Sequence, residues 1–298
     1  MPSQYESILQ LGKRLKAYRI GKGLTPDEMA KNIGISRAAI YRYESGQPIR
    51  VDVLGKIADH LGVSLTSLLG VGSEYITSAL TFFDRMLQIE AASDQITVLF
   101  GPVSYLLTTD GFDEVLPAVL RESVPKTATR REGVEDQIDQ IMAVLRARKA
   151  TYQERRPNIV SLVSSAELEQ WLASGFVGQR GLPEDVQAER RIIARREVEH
   201  VLNLIEDQPM GVQIGVVEDS LPSSSFQIFR NGGEAQVAVS PFRLGAFANI
   251  RIGVATVTSA QESVQLHQDV VHSLWRNSLK GDEAAVRLRK ALRDTAGA

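Results

Sequence analysis

The residues best suited to chemistry lie between positions 36 and 42, in the run SRAAIYR. Arg37 can donate two parallel hydrogen bonds to a guanine edge, and Ala38 or Ala39 can meet a thymine methyl. Arg42, one turn later, can reach either a base or a phosphate. This is chemistry of recognition, without bond making. A positively charged helix start with small side chains beside it suits entry into a DNA major groove.

Such a surface needs elements that hold it outward, and the flanking sequence supplies their signals. In TPDEMAKNIGISRAAIYRYESG (25–46) Thr25 can cap a first helix, Pro26 suits its first position, and Glu28 completes a capping box. Met29, Ala30 and Ile33 give that helix an apolar face, and Gly34 ends it. Ser36 caps a second helix that runs to about Ser45, with Gly46 as terminator. On it Ile40 and Tyr43 are expected to point inward, while Arg37, Ala38, Tyr41 and Arg42 face out. Residues 8–22 form an earlier amphipathic helix (Leu11, Leu15, Tyr18) closed by Gly23. Asp52 is expected to cap a helix through Leu61, and Ser64 a short last one before Gly70. Five short helices with their own start and stop signals make a compact bundle.

The runs YRIGKGLTPDEMAKNIGISRAAIYRYESGQ and LGKIADHLGVSLTSLLG resemble the helix-turn-helix domain of the Xre/Cro-repressor family, over residues 8–70. The resemblance implies that Ser36, Arg37, Ala38, Ala39, Tyr41 and Arg42 read double-stranded DNA. Thr25 and Arg50 complete the expected DNA-binding set. It also implies that Arg19 of the first helix pairs with Glu44, a structural contact. At one place the chain departs from the family. Where a glutamine usually grips a phosphate, Pro26 and Asp27 stand, which leaves the backbone amides of that helix start to serve an anion.

Charge agrees with a polyanion partner for the N-terminal part alone. Residues 1–70 carry ten Lys/Arg against six Asp/Glu, a net of +4; the remainder carries 24 against 30, a net of −6. With 298 residues and 43% hydrophobic content the chain can bury more than one core. No apolar run has membrane-spanning length, and no signal-peptide layout opens the chain, so a cytoplasmic protein without membrane partner is expected. The absence of cysteine excludes disulfides and cysteine-ligated metal.

Catalytic signals are thin, and the expected protein is not an enzyme. His267 and His272 lie about 140° apart on a helix, poorly placed to share a metal. Gly-rich phosphate loops are absent. Ser223, Ser224 and Ser225 read as a turn, with no glycine frame for a nucleophile elbow. Trp171 and Trp275, at helical positions, read as core or pocket walls. Neither a cofactor nor a metal site is expected.

The fold class expected is mixed. An all-α five-helix helix-turn-helix domain (1–70) leads through a helical connecting region (71–154) to a C-terminal α/β, or α+β, domain (155–298). In 74–92 the residues Ile76, Leu80, Phe83 and Leu87 follow a coiled-coil-like spacing, and Val134, Ile138, Ile141 and Leu145 repeat it. Either both stripes face one intrachain core, or one of them joins two copies. Residues 95–107 and 112–120 are apolar segments around the turn signal TTDG, and 125–132 reads as a surface loop. Beyond 155, strands are expected at 158–163, 211–217, 225–230, 235–240 and 250–258, with Asn231-Gly232-Gly233 as a hairpin turn. Helices are expected at 165–173, 184–206, 260–279 (ended by Gly281) and 282–293.

PMGVQIGVV, FQIFR, VAVSPFRLGAFANIRIGVATV and the helix with HSLW resemble, distantly, C-terminal effector domains of some longer Xre-type regulators. That resemblance implies sensing of a small molecule or protein, and Arg243, Asn249 and Arg251 cluster where an anionic or polar effector can bind. The function expected is a homodimeric, sequence-specific transcriptional regulator reading two half-sites under C-terminal control. The alternative is an antitoxin-type regulator whose C-terminal part grips a protein.

Overall fold

A computed structural model describes residues 4–69, 72–99, 101–125, 133–218 and 225–295. Gly70, the loop residues 126–132, and Ser223 and Ser224 lie outside the described residues.

The N-terminal bundle comprises α1 (Gln4–Gly21), α2 (Pro26–Ile33), α3 (Arg37–Glu44), α4 (Val51–Leu61) and α5 (Leu65–Leu69). Each expected helix forms; the expected stop residues Gly23, Gly34 and Gly46 take left-handed backbone, as does Gly62 after the fourth helix. Leu15, Met29, Ile40, Ile57, Leu61 and Leu68 are fully buried at its centre. The cap of α4 differs from expectation. Arg50 holds the N-cap position and makes no side-chain cap bond, while Asp52 sits in the first turn, where its charge favours the helix start.

The sheet recruits segments that the sequence pattern assigned to a helical connector. β1 (Ser73–Ile76), β2 (Gln95–Leu99), β3 (Asn158–Ser164), β4 (Val212–Val217), β5 (Ser225–Asn231), β6 (Glu234–Ser240) and β7 (Ala255–Thr258) form one sheet, in the order β1-β7-β6-β5-β2-β3-β4. β2, β3 and β4 are parallel; every other neighbouring pair is antiparallel. Two strands of the expected connector, β1 and β2, are thus hydrogen-bonded to strands from beyond residue 155, and 71–154 is no separate layer. Ile76 belongs to β1, leaving α6 (Ala79–Glu90) to carry Leu80 and Phe83. The late strand is also shorter than expected: 250–254 form a loop before β7.

On one face of the sheet α6, α7 (Asp110–Glu122), α8 (Val134–Arg155), α9 (Ser165–Ser174), α10 (Glu184–Asp207) and α12 (Gly281–Asp294) enclose the large core. The other face carries α11 (Gln261–Asn277), whose Val264 and Val271 pack on Phe226, Ile228 and Val237. Gly281 begins α12 and does not terminate α11, because Leu279 pairs with Val216 as an added edge to β4. Both apolar stripes face largely inward: Leu80, Phe83, Ile138, Ile141 and Leu145 are buried within one chain, while Leu87 and Val134 are partly buried.

Charged groups fasten these layers. In α6 Arg85, 1% exposed, donates from Nε and Nη2 to both carboxylate oxygens of Glu74 in β1, each at 2.9 Å. Arg14 of α1 donates to the same carboxylate at 2.6 Å. Burial by itself would raise the Glu74 pKa, but Arg85 and Arg14 outweigh it and hold the carboxyl below its ordinary range. Gln88 of α6 adds a bond to the Lys13 carbonyl. The bundle is thereby seated on the sheet domain through one shared buried triad.

Candidate nucleic-acid interface

The reading surface is built by local chemistry at two helix starts. Thr25 Oγ1 accepts from the Glu28 amide at 3.2 Å, and Glu28 Oε2 accepts from the Thr25 amide at 2.7 Å, closing the capping box. The bond from the Thr25 amide, and after it one from the Thr25 hydroxyl to the same carboxylate, lower the Glu28 pKa. The Thr25 hydroxyl also donates to Glu28 Oε2, so the cap uses it in both directions. At the start of α3 Ser36 Oγ accepts from the Ala39 amide at 3.2 Å. Gly34, at φ 76°, lets the chain turn between the two helices.

The far end of α3 is fixed to α1. Arg19 donates to both oxygens of Glu44 at 2.5 and 3.0 Å, and also to the Leu24 carbonyl. This is the structural pair that the resemblance implied. Gly12 permits the approach: a β-carbon there would stand 2.4 Å from the Tyr43 carbonyl.

With Ile40 driven into the core, Ser36, Arg37, Ala38, Tyr41 and Arg42 are exposed on the outer side of α3. No other part of the described chain covers that side. Ala39 does not belong to the surface. It is 5% exposed and packs inward beside Ile40, so the thymine-methyl role is open to Ala38 alone. Tyr43, expected to point inward, is only partly buried. Arg50 is exposed and pairs with Asp52 at 3.1 Å.

Arg37 is held by two contacts. Its Nη2 donates to the Tyr41 hydroxyl at 3.1 Å, and its Nη1 lies 3.1 Å from Asp27 Oδ2. The guanidinium also sits 5.4 Å from the Tyr41 ring centroid. The hydrogen bond to Tyr41, then the Asp27 charge, raises its pKa. Asp27, at the place where the family's glutamine is missing, therefore faces the arginine. The four-residue spacing of Arg37 and Tyr41 on a helix was a readable signal for their contact; the Asp27 contact crosses between helices and had none.

The expected effector cluster divides. Arg243 and Asn249 exchange backbone hydrogen bonds at 3.0 and 2.9 Å and line a groove with Pro241, Phe247 and Val254. The Asn249 side chain is consumed by its own loop. Its Nδ2 donates to the carbonyls of Pro241 and Ile252, and its Oδ1 accepts from the amides of Arg251 and Ile252. Arg251 does not line the groove. Among the described residues no group of three or more His, Asp or Glu is placed to hold a metal.

This architecture defines a class: a transcription regulator with a DNA-binding module of the helix-turn-helix type at its N-terminus. Residues 15–68 match the helix-turn-helix family model, and the module is Xre/Cro-like. Among solved structures the archaeal chromatin protein TrmBL2, whose report describes a novel mode of DNA binding, aligns with 89% of this chain and 91% of its own. The identity is 12% and the TM-score 0.30, a likeness that carries no functional inference. No curated protein matches the chain. No helix among the described residues is long and apolar enough to cross a membrane.

Proposed function

We propose that this protein is a sequence-specific regulator of transcription that reads two operator half-sites as a homodimer, under control of its C-terminal domain. The observation that carries the reading is the uncovered outer side of α3, where Arg37, Ala38, Tyr41 and Arg42 stand exposed on a helix fixed at both ends. Arg37 supplies the bidentate guanine contact, Ala38 a methyl-sized contact, and Arg42 a base or phosphate contact.

Pairing follows from size. One such module covers little DNA and discriminates weakly, whereas two read half-sites about 34–36 Å apart. The C-terminal domain supplies the control because its large sheet core is joined to α1 by the Glu74 triad. Effector binding then alters the placement of the two modules on DNA, and a shift of about 1.4 kcal/mol changes occupancy tenfold.

The test is selection of bound fragments from a genomic DNA library. The expected result is enrichment of an inverted repeat whose half-sites lie about one helical turn apart. Binding that ignores sequence, retained equally by bulk DNA, would refute the reading.

A further inference from the structure

At the carboxyl end of β2 the chain passes through Gly101, Pro102 and Val103 and leaves a cavity of about 30 Å³. Its walls are aromatic: Phe82 and Phe83 of α6, Tyr105, Phe112 of α7, Trp171 of α9, and Phe242. Two buried polar groups in this lining have no partner among the described residues, Trp171 Nε1 and Gln227 Oε1, on residues 1% and 6% exposed. A third unpartnered atom, Glu167 Oε2, lies directly over Gly101, so that a β-carbon on that glycine would collide with it. A buried donor or acceptor without a partner costs about 1–3 kcal/mol, so three beside one cavity call for an occupant.

The polar atoms define what that occupant presents. It must accept a hydrogen bond from the Trp171 indole and donate to the Gln227 amide oxygen or the Glu167 carboxylate. An anion is not called for, because the Arg148 guanidinium is already committed to Glu90 through bonds of 2.6 and 2.9 Å. The aromatic walls favour a flat body. Size matters too. At about 30 Å³ the cavity admits a water molecule or two, so anything larger must displace a wall.

The wall formed by Phe82 and Phe83 belongs to α6, whose other side holds Arg85 and Gln88 against β1 and α1. Thr81 of the same helix lies directly beneath Gly21 of α1. Entry of a ligand thus bears on the element that seats the reading module.

We propose that this cavity binds a small, uncharged, planar molecule, an aromatic heterocycle or phenol bearing at least one N–H or O–H donor and one acceptor, and that its entry repositions the helix-turn-helix module through α6. The inference rests on reading the C-terminal domain as a sensing domain. A ligand that fits without displacing the wall would bind both arrangements equally and shift nothing. The tightness of the cavity is what couples binding to movement.

The test uses the full chain with Trp275→Phe, which leaves Trp171 as its sole tryptophan. Uracil, adenine, phenol and benzamide are titrated by calorimetry and Trp171 emission, with benzoate as the anionic counterpart of benzamide. Saturable one-to-one binding of at least one uncharged probe is expected, weakened about tenfold or more by Gln227→Met, a change that keeps the side chain's length. That variant should melt no lower than its parent, because the unpartnered oxygen is gone. Benzoate is expected to bind more weakly than benzamide. Saturation by none of the probes, indifference to Gln227→Met, or preference for benzoate would overturn the site and mark the cavity as a hydrated void only. DNA affinity is measured separately, with and without the bound probe, on the selected repeat. A change of about fivefold or more is expected; an unchanged affinity with the probe bound overturns the transmission through α6. Failure of ligand-free protein to select DNA would strike the reading-head proposal instead and leave the cavity result standing.

Discussion

Arginine does opposite work in the two parts of this molecule. In α3 Arg37 and Arg42 stand in solvent, and Arg37 is tethered by Tyr41 and Asp27. Around the sheet Arg85, Arg148 and Arg190 are 1%, 3% and 8% exposed and are paired with Glu74, Glu90 and Glu122. An exposed guanidinium keeps its charge available to an incoming polyanion and adds little to stability. A buried pair has spent its charge internally, and its value shows when one partner is removed. The position of an arginine, more than its presence, separates the recognition surface from the scaffold.

The largest way to sharpen this contrast is to break a buried pair. Glu90→Gln strands the Arg148 charge and should lower unfolding stability by about 3–5 kcal/mol in urea titration. A loss below about 1 kcal/mol would mean that water reaches the pair and that the contrast is overdrawn. Acid should act in the same region through Glu74. Its folded pKa is depressed below the ordinary 4.5, so its stabilisation is complete above that pH and is lost as pH falls through the lower folded value. Stability measured downward from pH 4.5 should therefore decline more steeply in the parent than in Glu74→Gln. Asp84 opposes this trend, since burial raises its pKa despite Lys16 and Gln88, and protonating it relieves a cost.

Next in size is Arg37→Ala. It should weaken DNA binding by about 1–3 kcal/mol and relax preference at one base position, while stability moves by no more than about 0.5 kcal/mol. Equal loss on every sequence would assign Arg37 to phosphate and shift base reading to Arg42. Thr25→Ala dissolves the capping box and should cost about 1 kcal/mol of stability, read by thermal unfolding. The smallest expected effect is that of Arg42→Ala. If Arg42 meets phosphate, affinity falls evenly across sequences and the slope of log affinity against log salt drops by about one.

The two regions also differed in legibility. The N-terminal helices carry their instructions locally: Thr25 and Glu28, Gly34, and Ser36 each act within a few residues of themselves. The outward direction of Arg37, Tyr41 and Arg42 followed from Ile40 pointing in. Ala39 escaped because two adjacent alanines look alike in sequence, and only the packing of the bundle decides which one is covered. The sheet is a long-range object. Gln95–Leu99 becomes a strand because partners arrive from Asn158–Ser164 and Ser225–Asn231, and nothing within that segment announces them. Nothing local marks Glu74, Arg85 or Arg148 for burial, because burial of charge depends on a partner as many as 60 residues away. The demand of its own loop on the Asn249 amide likewise has no signal in the sequence.

The carboxylate of Glu74, gripping α1 and α6 together, has a consequence for any operator. In the proposed homodimer it holds each reading module to its own sheet domain for as long as the cavity is empty, so two ligand-free copies act as the jaws of a set caliper. Each base pair inserted between half-sites moves the second target by about 3.4 Å along the axis and turns it by about 35° around it. Jaws set in this way lose their grip after a single insertion, so the ligand-free protein should tolerate substitutions in the spacer and reject changes in its length.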